Sequence, residues 1–105
     1  MTRSFFAIVL VLWALAIYAI VCGPFAAKAA DPLYGLRMCE SGNDYTINTG
    51  NGYYGAYQFS LTTWEAVGGA GYPHLASPEE QDARAWDLLT RYGPQHWPVC
   101  RWRIG

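Results

Sequence analysis

At 105 residues the chain has room for one domain. Beyond residue 29 it carries five arginines and no lysine against eight carboxylates, a net charge of −3. With no basic stripe, nucleic acid and other polyanions that need clustered positive charge are excluded as partners.

The first elements are those of export. Arg3 precedes Phe5 to Cys22, a stretch without a charged residue, and Pro24 ends the run. Ala27-Lys28-Ala29 then places small residues where a signal peptidase reads them, so residues 1–29 are expected to form a secretory signal cut after about Ala29. The alternative is an uncleaved anchor, since the apolar run 5–22 is just long enough to span a bilayer as a helix. Both readings carry residues 30–105 out of the cytoplasm, either secreted or tethered to the membrane. In that oxidising setting Cys22 falls within the leader and leaves an even pair, Cys39 and Cys100. Bridging them would close a loop of about 60 residues, worth roughly 4 kcal/mol of chain entropy. His74 and His96 lack short-spaced ligand partners, so neither a metal nor a cofactor is expected.

Asp31-Pro32 reads as a helix start, and Leu33, Leu36 and Met38 follow before Gly42 stops the helix, giving about Pro32 to Ser41. Cys39 and Glu40 then occupy its last turn, where the helix dipole disfavours an ionised carboxylate. Tyr45-Thr46-Ile47 and Tyr53-Tyr54 flank Thr49-Gly50-Asn51-Gly52, a pattern that predicts a short β-hairpin. Ser60 caps a second helix, Leu61 to Val67, ended by Gly68-Gly69. Ser77-Pro78-Glu79-Glu80 is a capping box opening a third, on which Ala85, Leu88, Leu89 and Tyr92 form one apolar face before Gly93-Pro94. The expected architecture is α+β: three or four helices, a short hairpin and one disulfide.

Residues 30–105 hold twelve aromatics. Trp64, Trp86 and Trp97 lie among apolar neighbours and are assigned to the core. Tyr53, Tyr54 and Tyr57 lie in a glycine-rich segment, where a ring can offer a flat face and a hydroxyl together, the complement of a pyranose. Glu40 at a helix end beside that segment is the candidate proton donor, because glycosidic cleavage needs a carboxylic acid still protonated near neutral pH. Asp44, with Glu65 farther along, is the available second carboxylate. No serine or cysteine is paired with a histidine as a nucleophile would be.

The string Cys39-Glu40-Ser41-Gly42, Ile47-Asn48-Thr49-Gly50-Asn51-Gly52-Tyr53-Tyr54-Gly55, Gln58-Phe59, Thr63-Trp64-Glu65-Ala66 and Trp97-Pro98-Val99-Cys100 resembles the resuscitation-promoting factor catalytic domain of actinobacteria. The likeness runs over about residues 31 to 102 and implies a small lysozyme-like fold. It places Glu40 on the family's catalytic glutamate and Cys39 and Cys100 on its disulfide pair. Thr63 falls on a threonine beside the substrate, and Tyr53 and Gln58 on cleft-lining positions. The implied substrate is the β-1,4 bond of peptidoglycan between N-acetylmuramic acid and N-acetylglucosamine, cleaved to remodel the wall in growth or resuscitation from dormancy. The resemblance leaves open whether the outcome is transglycosylation or hydrolysis, and it identifies no wall-hydrolase partner protein. A weakly active or inactive wall-binding protein using the same cleft is the rival. Three departures stand out: Tyr45 replaces a common Trp, Ala56-Tyr57 replaces a Gly-Gly or Gly-Val pair, and Tyr34-Gly35 lies where the first helix usually holds Trp. Gly35 is expected to weaken that helix by about 1 kcal/mol relative to alanine.

Overall fold

The computed structural model describes residues 31–105; the leader and its cleavage site lie outside the described residues. Three α-helices carry the domain: α1 (Tyr34–Ser41), α2 (Leu61–Ala66) and α3 (Pro78–Tyr92). Short 3-10 turns at Pro73–Leu75, Pro94–His96 and Arg101–Arg103 punctuate the connections. None of the described helices is long and apolar enough to cross a membrane.

Helix α1 begins two residues later than the Asp31-Pro32 signal suggests. Leu33 is its N-cap and no side chain caps it; the Arg37 amide bonds the Leu33 carbonyl instead. Its stop is as read: Gly42 takes the left-handed conformation and its amide bonds back to Met38. Gly35 has a packing reason to be there. A Cβ at that position would stand 2.5 Å from the Arg103 carbonyl oxygen, so the missing side chain lets the C-terminal turn lie directly on α1. The Gly105 amide completes that seam on the Pro32 carbonyl at 2.9 Å.

Helices α2 and α3 open on their expected caps. The Ser60 hydroxyl accepts the Thr63 amide, and the Ser77 hydroxyl accepts the Glu80 amide, each supplying one partner to an otherwise orphaned donor. Helix α2 ends one residue short of the Val67 expected. The next turn is held close because Gly69 lies against the Trp64 ring, where any Cβ would overlap indole carbons.

The hairpin is not formed. Among the described residues there are two isolated antiparallel bridges, Asn48 with Tyr54 and Tyr54 with Phe59. Local side chains take the amides that a ladder would use: Asp44 accepts from the Thr46 amide, Asn48 from Gly50 and Asn51 from Tyr53, at 3.0, 3.1 and 3.0 Å. Asx turns have outcompeted strand pairing.

The core collects Leu33, Leu36, Tyr57, Phe59, Trp64, Leu88 and Trp97, and each fully buried leucine contributes about 2 kcal/mol by leaving water. Trp64 and Trp97 are buried as expected, but Trp86 is 48% exposed. The buried stripe of α3 is Gln81, Ala85 and Leu88, and position 86 points off it; Tyr92, expected on the apolar face, is also half exposed. Gln81 was invisible to an apolar count. It is fully buried with all three polar valences used: its amide nitrogen donates to the Tyr45 and Ala76 carbonyls, and its oxygen accepts the Ala56 amide. From the other side the Ser41 hydroxyl donates to the Ala56 carbonyl at 2.8 Å. Ala56 is thus pinned between α1 and α3, which fixes the glycine-rich segment against the end of the helix that bears Glu40.

Candidate active site

A groove runs along the surface where four segments meet: the end of α1, the loop 51–59, the start of α2, and the tail 96–100. It consists of two hollows. One, of about 420 Å³, is lined by Glu40, Asn51, Tyr53, Gln58, His96 and the Pro98–Cys100 stretch. The other, of about 160 Å³, has Thr63, Ser60 and Phe59 in its wall. Tyr53, Gln58 and His96 border both, so the hollows are two parts of one depression.

Glu40 sits at one end of this groove on the last turn of α1. It is half-buried, and its carboxylate has no hydrogen-bond or ion-pair partner among the described residues. Burial without a compensating donor disfavours the charged form, so the Glu40 carboxyl is pushed above the ordinary carboxylate range. A carboxyl that gives up its proton less readily than usual, set in an open groove, is suited to general-acid chemistry. The Cys39–Cys100 disulfide, with Cα atoms 5.7 Å apart, joins the residue before Glu40 to the tail that lines the same hollow.

At the other end, Thr63 is set by its own helix cap. Ser60 Oγ accepts the Thr63 amide and donates to Thr63 Oγ1 at 3.0 Å. That leaves the threonine's own proton available as a donor. Gln58 is held in the left-handed region at φ 53, with its amide nitrogen donating to the Gly55 carbonyl at 3.0 Å. A non-glycine residue in this region costs of order 1 kcal/mol, and such positions cluster at binding sites. Tyr53 is half exposed beside it.

The groove therefore brings together four residues singled out from sequence, Glu40, Tyr53, Gln58 and Thr63. It leaves others out. Asp44 is exposed and spends its carboxylate on the Thr46 amide and hydroxyl, outside the groove; Glu65 lies exposed on α2. Glu40 is the sole carboxylate lining either hollow among the described residues. Tyr57 is a correction: it is fully buried, and its ring packs in the core against Trp97 and Phe59 rather than facing a sugar. Its hydroxyl donates to Asp82, where Tyr45 also donates, and it accepts from Arg37 at 2.9 Å. Two departures from the family pattern, Tyr45 and Tyr57, thus converge on one carboxylate. Asn51 and His96 are groove residues that the chain order did not reveal. The disulfide was the available signal for His96, because tying Cys100 to Cys39 forces the preceding tail alongside Glu40.

The fold and groove define a small lysozyme-like α+β domain held by one disulfide. The chain belongs to the transglycosylase-like domain family, which matches residues 27–100. It is similar to resuscitation-promoting factor Rpf of Micrococcus luteus, 48% identical over 82 residues that make up 78% of this chain and 37% of that protein. Resuscitation-promoting factor RpfE of Mycobacterium tuberculosis is 49% identical over 65 residues, 62% of this chain and 38% of its own length. Rpf1 of Corynebacterium glutamicum is 43% identical over 91 residues, 83% of this chain and 47% of its own length. The chain thus spans less than half the length of these relatives.

Proposed function

We propose that this domain cleaves the β-1,4 glycosidic bond of peptidoglycan between N-acetylmuramic acid and N-acetylglucosamine, with Glu40 as acid and then base. The observation that carries the reading is a half-buried, unpartnered carboxyl with a raised pKa at one end of a groove bordered by Tyr53, Gln58 and Thr63. Membership of the transglycosylase-like family supports it.

In this mechanism Glu40 gives its proton to the bridging oxygen as the C1–O bond breaks, and the departing sugar leaves as an alcohol. The muramic 6-hydroxyl then attacks C1 from within the same residue, and its proton returns to Glu40. Atoms balance without water, and the product is a 1,6-anhydro end. A hydrolytic glycosidase needs a second carboxylate to activate water or to form a glycosyl-enzyme. Glu40 is the one carboxylate lining the groove among the described residues, which favours the intramolecular route. Tyr53 offers an apolar ring with a hydroxyl edge for a sugar face, and Thr63 offers a hydroxyl donor. The biological role in this reading is wall remodelling during growth or resuscitation.

Glu40→Gln keeps the shape and removes the proton. Release of muropeptides from purified walls is expected to fall by about 10²- to 10⁴-fold, the usual contribution of a general acid. Mass spectrometry of the wild-type digest should show ends lighter by one water than hydrolysed ones. Undiminished release by the glutamine variant would remove Glu40 from the mechanism, and water-bearing ends would replace transglycosylation with hydrolysis. For residues 1–29 we propose a cleaved export signal, which predicts an exported protein beginning near Ala30; retention of Arg3 would instead make the run 5–22 a tether.

A further inference from the structure

His96 stands where the two hollows of the groove join and belongs to the wall of each. We propose that it is a substrate-binding residue that grips a glycan strand as it passes from the Glu40 end to the Thr63 end, and that it sets the length of strand the groove prefers. The proposal rests on the reading of the groove as a glycan site.

The backbone that carries this side chain is fixed from both directions. Gly93 turns the chain out of α3 at φ 84, and Pro94–His96 form a 3-10 turn whose closing bond runs from the Trp97 amide to the Pro94 carbonyl at 3.0 Å. Trp97, the next residue, is buried, and its indole nitrogen donates to the Tyr57 carbonyl at 3.0 Å. Three residues further on, Cys100 is fastened to α1. An exposed imidazole between a proline turn and a buried anchor stands on a backbone with little ordering left to do on binding. Tyr92 lies edge-on to the ring, with centroids 6.5 Å apart.

The ring also has something to give. Neither nitrogen has a hydrogen-bond or ion-pair partner among the described residues. Two other donors of the same wall are engaged: the Gln58 amide nitrogen donates to the Gly55 carbonyl, and the Ser60 hydroxyl donates to Thr63. An imidazole carries at least one N–H in either charge state, and hydroxyl and N-acetyl carbonyl oxygens along a glycan are its acceptors. Because it borders both hollows, its bond becomes available to a strand long enough to run through both. A disaccharide seated in one hollow gains less.

The test is binding in the exported Glu40→Gln protein, which is not expected to consume the probe. Calorimetry with β-1,4-linked N-acetylglucosamine disaccharide and hexasaccharide should show His96→Ala weakening the hexasaccharide by about 3- to 10-fold, the worth of one hydrogen bond. The disaccharide should change less than about twofold, and His96→Gln, which keeps a donor, should recover most of the loss. In the Glu40-bearing protein, His96→Ala should raise KM on wall fragments with kcat nearly unchanged, and the melting temperature should hold. Unchanged hexasaccharide affinity, or an equal loss at both lengths, would overturn the proposal. Failure of the enzymatic reading would look different: no fragment release by the wild-type protein, with His96-dependent hexasaccharide binding intact.

Discussion

Two carboxylates on this small domain live in opposite circumstances. Asp82, on α3, accepts the hydroxyls of Tyr57 and Tyr45 at 2.5 and 2.8 Å and lies 3.6 Å from the buried Arg37 guanidinium. Glu40, on the last turn of α1, is half-buried and has no partner among the described residues. Arg37 and Glu40 are three residues apart on one helix, yet the arginine turns into the aromatic network and the glutamate into the groove. Partners, not burial alone, separate a carboxylate that holds a fold together from one that can move a proton. Satisfied by two hydroxyl donors and faced by a guanidinium, Asp82 fixes the rings around it. Starved of donors, Glu40 holds its proton more tightly than an ordinary carboxyl.

Removing Asp82 breaks the comparison at its structural end. Asp82→Ala leaves two tyrosine hydroxyls and a buried guanidinium short of an acceptor, although Arg37 keeps Asn43 at 2.7 Å and the Tyr57 oxygen. A loss of about 1–3 kcal/mol is expected in urea melts with an unchanged m-value. Asp82→Asn retains an acceptor and should lose less. Glycan cleavage by the folded fraction should survive, since no member of this network lines the groove. A stability change under about 0.5 kcal/mol would mean that the tyrosines find other acceptors and that the network contributes geometry alone.

The network also marks the limit of what the sequence disclosed. Helix stops and caps were legible because Gly42, Ser60 and Ser77 act within a few residues of themselves, and so was the even cysteine pair. Glu40 and Tyr53 were candidates from the residues themselves, Gln58 and Thr63 came from the resemblance alone, and the four line one groove. What escaped was long-range. Gln81 reads as a polar surface residue, but its amide satisfies three backbone groups as far away as residue 45. Tyr57 reads as a cleft aromatic because a glycine-rich segment usually faces solvent; the pinning of Ala56 by Ser41 and Gln81 turns it inward. Gly35 reads as a helix weakener, whereas its missing Cβ admits the Arg103 carbonyl from the far end of the chain. The expected hairpin failed for the converse reason. Its turn residues, Asp44, Asn48 and Asn51, bond their own neighbours, so local chemistry defeated strand pairing.

The smallest effect sharpens the other end of the comparison. Because burial raises the Glu40 pKa in the folded state, its proton is held more tightly there than in the unfolded chain, where the ordinary value is 4.5. Below that value both states are protonated, and the group's favourable contribution is fully present. As pH rises through the folded pKa the native carboxyl must ionise without a donor, and the contribution is lost. Glu40→Gln carries no such ionisation. The variant should therefore match the wild type in urea melts in acid, at about pH 4 or below, and become the more stable of the two as pH rises through the folded pKa towards neutrality. A partnered carboxylate gives the reverse pattern, since removing its charge costs stability most at neutral pH. If Glu40→Gln is the less stable protein at neutral pH and regains parity in acid, Glu40 is held by donors in solution as Asp82 is, and the contrast between the two carboxylates disappears.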